Sequence, residues 1–173
     1  MVTIRHELPC DIVVRETLLD RAFGKSRRRK TSERLREGRL PAEGLAFSAV
    51  DAKGKLIGTI RLWHVIAGSA GPALLLGPVA VDCRQQKKGI GAALIHHGLA
   101  EARILGHQAV LLVGDALYYS RFGFGDTGSR GLHLPGPVEQ ARFLGLELVP
   151  GAFDGAEGLV RPAGRLEEIP LAA

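Results

Sequence analysis

The sequence predicts a mixed α/β (α+β) fold, and three stretches carry that expectation. Residues 45–50 and 55–65 read as two strands joined by Asp51-Ala52-Lys53-Gly54, a turn with glycine where a positive φ is needed, which makes an antiparallel hairpin. Residues 73–81 form an apolar strand that feeds the basic loop Gln86-Lys87-Lys88-Gly89-Ile90-Gly91, and this loop opens directly into an amphipathic helix over 89–105. Residues 109–113 are a short apolar run suited to a buried, parallel strand, so strand, helix and strand make a right-handed crossover.

The remaining elements follow from local signals. Residues 2–6 alternate weakly and read as a first strand ended by Pro9. Asp11 suits the N-cap of a helix over about 12–22, with Ile12, Leu18, Leu19 and Phe23 available to the core. Thr31-Ser32 can cap a second helix running to Arg39, with Gly38 and Pro41 ending it. Gly77-Pro78 inside the strand at 73–81 is unusual, because proline cannot donate a ladder hydrogen bond; a bulge or splay is expected there, leaving main-chain groups on Val79, Ala80 and Val81 free to bind an extended ligand. In the helix over 89–105, Leu94, Ile95, Gly98, Leu99, Ala102 and Leu105 share one stripe, and His96, His97, Glu101 and Arg103 take the outer face. Residues 116–122 read as a short aromatic helix ended by Gly123, Leu144, Leu146 and Leu148 mark a returning strand, and 159–161 a further one.

At 173 residues the chain is expected to fold as one domain, 1–173, with 46% hydrophobic and 24% charged residues typical of an ordinary globular protein. No apolar run approaches the roughly 20 residues that span a bilayer, and no signal-peptide pattern opens the chain, so the expected setting is cytoplasmic, without a membrane partner. Cys10 and Cys83 are far apart and outside metal-ligand spacing, which indicates neither a disulfide framework nor a metal site. The net charge of +5 is concentrated in residues 21–40, where nine Lys/Arg stand against Glu33 and Glu37. A solvated face is the first reading of that segment, an acidic substrate or cofactor phosphates the second, and nucleic acid the last, since no aromatics are interleaved for base stacking.

The loop at 86–91 has the composition of an anion site. A helix start leaves backbone N–H groups without intrahelical partners, Gly89 and Gly91 let a phosphate approach closely, and Lys87 and Lys88 add full charges. A P-loop is excluded, because the string G-x-x-x-x-G-K-[ST] is absent, and a dinucleotide fingerprint fails at Leu94, where its third glycine belongs.

The pattern Q/R-x-x-G-x-G/A is met instead, as Gln86-Lys87-Lys88-Gly89-Ile90-Gly91, and a second segment, Tyr118-Tyr119-Ser120-Arg121-Phe122-Gly123-Phe124, follows the next strand. With Leu76-Gly77-Pro78-Val79-Ala80-Val81-Asp82, Gly114-Asp115 and the tail around Pro135-Gly136-Pro137, Arg142-Phe143-Leu144 and Glu147-Leu148, the chain resembles a bacterial subgroup of the GNAT superfamily of acyl-CoA-dependent N-acetyltransferases over nearly its whole length. The resemblance implies the GNAT fold, a mixed, mostly antiparallel sheet with a splayed central strand pair and helices on both faces. It implies acetyl-CoA as acyl donor and no metal. Amides of Gln86, Lys87, Lys88, Gly89, Ile90, Gly91 and Ala92 would hold the pyrophosphate of coenzyme A, and Val79, Ala80 and Val81 would pair with its pantetheine arm. Tyr119 would donate a proton to the departing thiolate after direct attack by a primary amine. The acceptor would be a small-molecule or peptide amine, and the protein a monomer or homodimer.

Many relatives have glycine where Lys87 stands and proline where Cys83 stands, so the loop is stiffer and more basic than usual. No general base is assigned; Glu43, His64 and Asp82 qualify by chemistry alone. Tyr118, Tyr119, Phe122 and Phe124 also fit simple core packing, Trp63 and His64 fit either an acceptor pocket or packing, and His96-His97 fit exposed surface, since adjacent helix residues point about 100° apart. The alternative function is a non-catalytic acyl-CoA-binding or regulatory module.

Overall fold

A computed structural model describes residues 1–126 and 129–168. The strands are β1 (Thr3–His6), β2 (Ala46–Val50), β3 (Leu56–Ala67), β4 (Pro72–Val81), β5 (Ala109–Val113), β6 (Leu132–His133), β7 (Phe143–Glu147) and β8 (Gly158–Pro162), and the helices are α1 (Ile12–Phe23), α2 (Ile90–Ile104) and α3 (Ala116–Tyr119). One sheet runs in the order β1-β2-β3-β4-β5-β7, with β8 added to the free side of β3 through Val65↔Pro162 and Ala67↔Val160. Along the main path only β4–β5 is parallel, as the crossover through α2 requires.

Alternation along the strands builds a core on each face. Leu74, Leu76, Val110 and Leu112 lie with Leu94, Ile95 and Leu99 of α2. Their neighbours Leu75, Ala109 and Leu111 lie on the opposite face with Leu35, Phe143 and Val160. Beside this second core, Leu18 and Leu19 of α1 pack on Leu56 and Ala80.

Several local expectations are corrected by tertiary contacts. The helix expected over Thr31 to Arg39 is absent; the chain instead makes two 3-10 turns, Lys25–Arg29 and Thr31–Leu35. With Leu35 as its buried apolar residue, this stretch has no stripe to dock a helix. It is held by polar anchors: Thr31 Oγ1 donates to the Pro137 carbonyl and Arg34 Nη1 to the Pro135 carbonyl at 2.6 Å. Asp11 stands at the N-cap of α1 but does not cap it. Its carboxylate accepts from the Leu8 N–H, from Arg5 and from Ser48, tying β1, β2 and the turn together. Ile12, Phe23 and Leu105 are exposed rather than in the core.

The central strand pair splays. β4 and β5 are paired only through Leu74↔Val110 and Leu75↔Leu111, after which β5 turns away at Val113 while β4 continues to Val81. On its other side β4 stays on β3, where the register moves from Leu62↔Leu76 to Ile60↔Val79 and places one extra β4 residue at Gly77-Pro78, whose peptide is cis. The expected bulge is therefore present. Val79, Ala80 and Val81 are not free on both sides: they pair with Ile60, Thr59 and Gly58 and present their open edge toward β5.

Candidate active site

A cleft of about 670 Å³ occupies the splay, bounded by Leu75 to Val79 of β4, by Val113 at the end of β5 with Gly114 and Asp115 after it, and by the 3-10 turns. Tyr119 stands in its wall. Two features put it there. Asp115 caps α3 by accepting the Tyr118 N–H at 2.8 Å. Gly114 leaves room for the Tyr119 ring, since a Cβ at that position would fall 2.3 Å from Tyr119 Cε2. The ring is mostly buried against Tyr118, Phe122 and Phe124, and that burial, with Tyr118 adding to it, pushes the phenol up to about 12. Tyr119 consequently stays protonated throughout the neutral range.

The loop before α2 is exposed and strained. Gly89 takes φ 78° at the N-cap, and the first intrahelical bond is Ala93 N–H to the Gly89 carbonyl, so the amides of Ile90, Gly91 and Ala92 are orphans of the helix start. Lys87 has φ 62° and is the one non-glycine residue with positive φ among the described residues. Such a conformation costs about 1–2 kcal/mol for a residue with a Cβ. Lys88 donates to Gln85 Oε1 at 2.9 Å, and both lysines face solvent. Tyr118 spans the two motifs: its hydroxyl lies 3.4 Å from the position a Cβ would take on Gly91, and the Arg121 guanidinium stacks 4.4 Å above its ring.

Other candidates are dispersed. Asp82 is held well below the usual carboxylate range by side-chain and backbone hydrogen bonds from Arg84, which makes it a poor base. Glu43 is exposed in the turn before β2. His64 lies opposite Leu74 on the far half of β3, its ring 5.5 Å from that of His107. None of the three lines the cleft. Trp63 is buried but also lines a hollow on the α1 side, and its indole N–H donates to the Gly77 carbonyl at 2.6 Å, thereby fixing the β4 bulge. His96 is exposed, as expected, whereas His97 is half-buried with its edge on Phe47.

The basic segment departs from its first reading as a solvated face. Arg27 is buried, donating to Glu16 and Asp20 of α1, and Arg36 is buried beside Glu33. Arg29 and Lys30 remain exposed but line the cleft with them, as does Arg142. Sequence reasoning did not single out Arg36, whose only signal was the excess charge of the segment, which says nothing about which arginines turn inward; Arg142 was named only within the tail motif Arg142-Phe143-Leu144.

A sheet splayed at its parallel pair, with a glycine-started helix behind one strand and a mostly buried tyrosine beyond the end of the other, is a fold shared with known enzymes. Residues 14–124 match the acetyltransferase (GNAT) family. The uncharacterized N-acetyltransferase YhbS of Escherichia coli strain K12 is 32% identical over 158 residues, covering 91% of this chain and 93% of that protein. The crystal structure of Escherichia coli YhbS in complex with CoA superposes with a TM-score of 0.79 at 30% identity over 94% of this chain and 89% of that one. A GNAT family acetyltransferase from Brucella melitensis in complex with acetyl-CoA gives a TM-score of 0.67 at 30% identity, covering 94% and 96%. The chain belongs to the GNAT acetyltransferase family, and its mixed eight-stranded sheet with helices on both faces is the GNAT fold.

Proposed function

We propose that residues 1–173 act as one catalytic domain that transfers an acetyl group from acetyl-CoA to a primary amine of a small molecule or peptide in the cytoplasm. The observation that carries this reading is the open edge of β4 facing, across the cleft, the mostly buried phenol of Tyr119. The residues present suit acyl-CoA: a basic helix start for phosphates, an unpaired strand edge for an extended arm and a cleft at the strand junction. The two solved relatives named above are complexes with CoA and acetyl-CoA, which supports the same ligand here.

Bound there, acetyl-CoA supplies an activated thioester. In this reading the amides at 86–92 hold the pyrophosphate, with Lys87 and Lys88 adding charge. Main-chain groups of Val79, Ala80 and Val81 pair with the arm, and an N–H among them stabilises negative charge growing on the carbonyl oxygen. The neutral amine attacks the acetyl carbon, a C–N bond forms and the C–S bond breaks. Tyr119 gives its proton to the leaving thiolate, and the surplus proton on nitrogen returns to the phenol through solvent.

Calorimetric titration with acetyl-CoA and with CoA tests the proposal, which does not survive an absence of binding for both at millimolar ligand. Tyr119→Phe is expected to lower turnover about 100-fold or more while CoA still binds; unchanged turnover removes Tyr119 from the chemistry. Binding without transfer across a broad amine panel would replace the enzyme with an acyl-CoA-binding module.

A further inference from the structure

Arg36 has more hydrogen-bonding capacity than the protein uses. Its side chain is 9% exposed, and its Nε donates to Glu33 Oε2 at 2.8 Å. Among the described residues its two terminal nitrogens have no hydrogen-bond partner, and Nη1 lies 3.8 Å from where a Cβ on Gly77 would stand. Burial pulls its pKa below the ordinary arginine value, with Glu33 opposing. Arg36, Arg27 and Pro78 line both the main cleft and a second hollow of about 370 Å³ on the α1 side, so Arg36 sits where the two meet.

A buried guanidinium with an unused fork is matched by a carboxylate or a phosphate, which accepts two parallel N–H bonds. The internal carboxylates nearby are already engaged: Glu16 and Asp20 hold Arg27, and Glu33 holds the Nε of Arg36. The remaining charge on the cleft wall favours an anion, with Arg29, Lys30 and Arg142 standing against Asp115 and Glu139. The anion in question is not the phosphate expected at the α2 loop. Asp82 lies five residue steps from Gly77, about 17 Å at 3.3–3.4 Å per step along an extended chain, and the loop begins beyond that.

We propose that Arg36 is a specificity residue for the acceptor, whose amine is accompanied by an anionic group, carboxylate or phosphate, that binds the Nη1–Nη2 fork at the junction of the two hollows. This rests on the acetyltransferase reading. Arg29 and Lys30, exposed at the rim, draw such an acceptor in by long-range attraction.

The test uses matched amines differing in the anion: O-phosphoethanolamine against ethanolamine, and glycine and β-alanine against their amides, each with saturating acetyl-CoA and thiol release as readout. At least one anionic member is expected to exceed its neutral partner about tenfold or more in kcat/KM, and Arg36→Gln to collapse that ratio through KM. Arg36→Lys keeps the charge without the fork and should recover it only in part. Arg29→Gln, at an exposed position, guards against a folding failure of the Arg36 variants; it should lower kcat/KM for the anionic member alone, with a weaker salt dependence. Titrating O-phosphoethanolamine, glycine and β-alanine separately into CoA-saturated protein gives a readout independent of turnover, with heat expected from at least one. Equal kcat/KM within every pair, or Arg36 variants that slow both members alike, would overturn the inference. Loss of acetyl-CoA binding by the unaltered protein would instead remove the transferase reading beneath it.

Discussion

The two sides of the cleft are built from different materials. On the strand–loop–helix side, the features proposed to meet the acyl donor are backbone: the open edge of β4, the helix start at Gly89 and the register step at Gly77-Pro78. On the α1 side, where the cleft meets the second hollow, the lining is side chains in ion pairs, with Glu16 held by Arg15 and Arg27, Glu33 by Arg36, and Arg15 and Arg61 in turn paired with Glu7. Main-chain geometry presents the same donors and acceptors whatever the side chains. An ion-pair wall changes its recognition with each residue. In the proposed reading the common chemistry belongs to the first side and the choice of acceptor to the second.

The largest effect expected from separating the two sides is on stability. Glu7→Gln leaves Arg61 without a counterion and Arg15 with Glu16 alone, at side-chain exposures of only 13% and 7%. Breaking such a pair destabilises by about 3–5 kcal/mol, read as a shift of the urea midpoint. A change under about 1 kcal/mol would mean that the ion pairs do not hold α1 to β3.

On the other side, Gly114→Ala should act on turnover. The added methyl falls 2.3 Å from Cε2 and 2.8 Å from Cδ2 of Tyr119, so the ring must move. Displacing a positioned group by about 1 Å can cost on the order of 100-fold; the expectation is a lower kcat with CoA affinity retained, measured by steady-state kinetics and calorimetry. An unaltered kcat would show that the position of Tyr119 is not critical.

The pH dependence of stability should divide the same way. The Tyr119 phenol is raised by burial from 10.0 to about 12, so its contribution is full below pH 10 and is lost as pH rises toward 12. Asp11 is lowered from 3.8 to about 2, first by its hydrogen bond from Arg5, so its contribution is present above pH 3.8 and lost as pH falls toward 2. Denaturant midpoints across both ranges check this: Tyr119→Phe should flatten the alkaline limb and Asp11→Asn the acid limb.

The smallest effect is expected at Lys87. Lys87→Gly relieves a positive φ but frees the unfolded chain, so stability should rise by at most about 1 kcal/mol. CoA affinity should fall only slightly if the amides dominate binding, and by tenfold or more, about 1.4 kcal/mol, if the lysine charge does. Calorimetry decides between them.

The strand–loop–helix side was the more legible one. The apolar runs at 73–81 and 109–113, the 3.6-residue stripe of α2 and the turn at Asp51 to Gly54 are local patterns, and each became the expected element within a few residues. Tyr119 was singled out by its segment and lies in the cleft wall, although its high pKa depends on rings brought from several positions. The α1 side was read poorly. A helix was expected where two 3-10 turns occur, Asp11 was expected to cap α1 but instead ties β1 to β2, and Arg27 and Arg36 were grouped with exposed charge.

By itself the sequence determined most of the strands and the two long helices, where the glycine-started helix opens and which tyrosine follows the crossover. Those properties depend on periodicity and on backbone preferences that act over a few residues. Tertiary structure alone decided that β8 joins the far half of β3, that the splay forms a cleft and that Arg36 turns its unused fork into it. The reason is physical: a basic side chain is buried only where distant carboxylates and backbone meet it, and partners such as Arg61 and Glu7, 54 residues apart, leave no local trace.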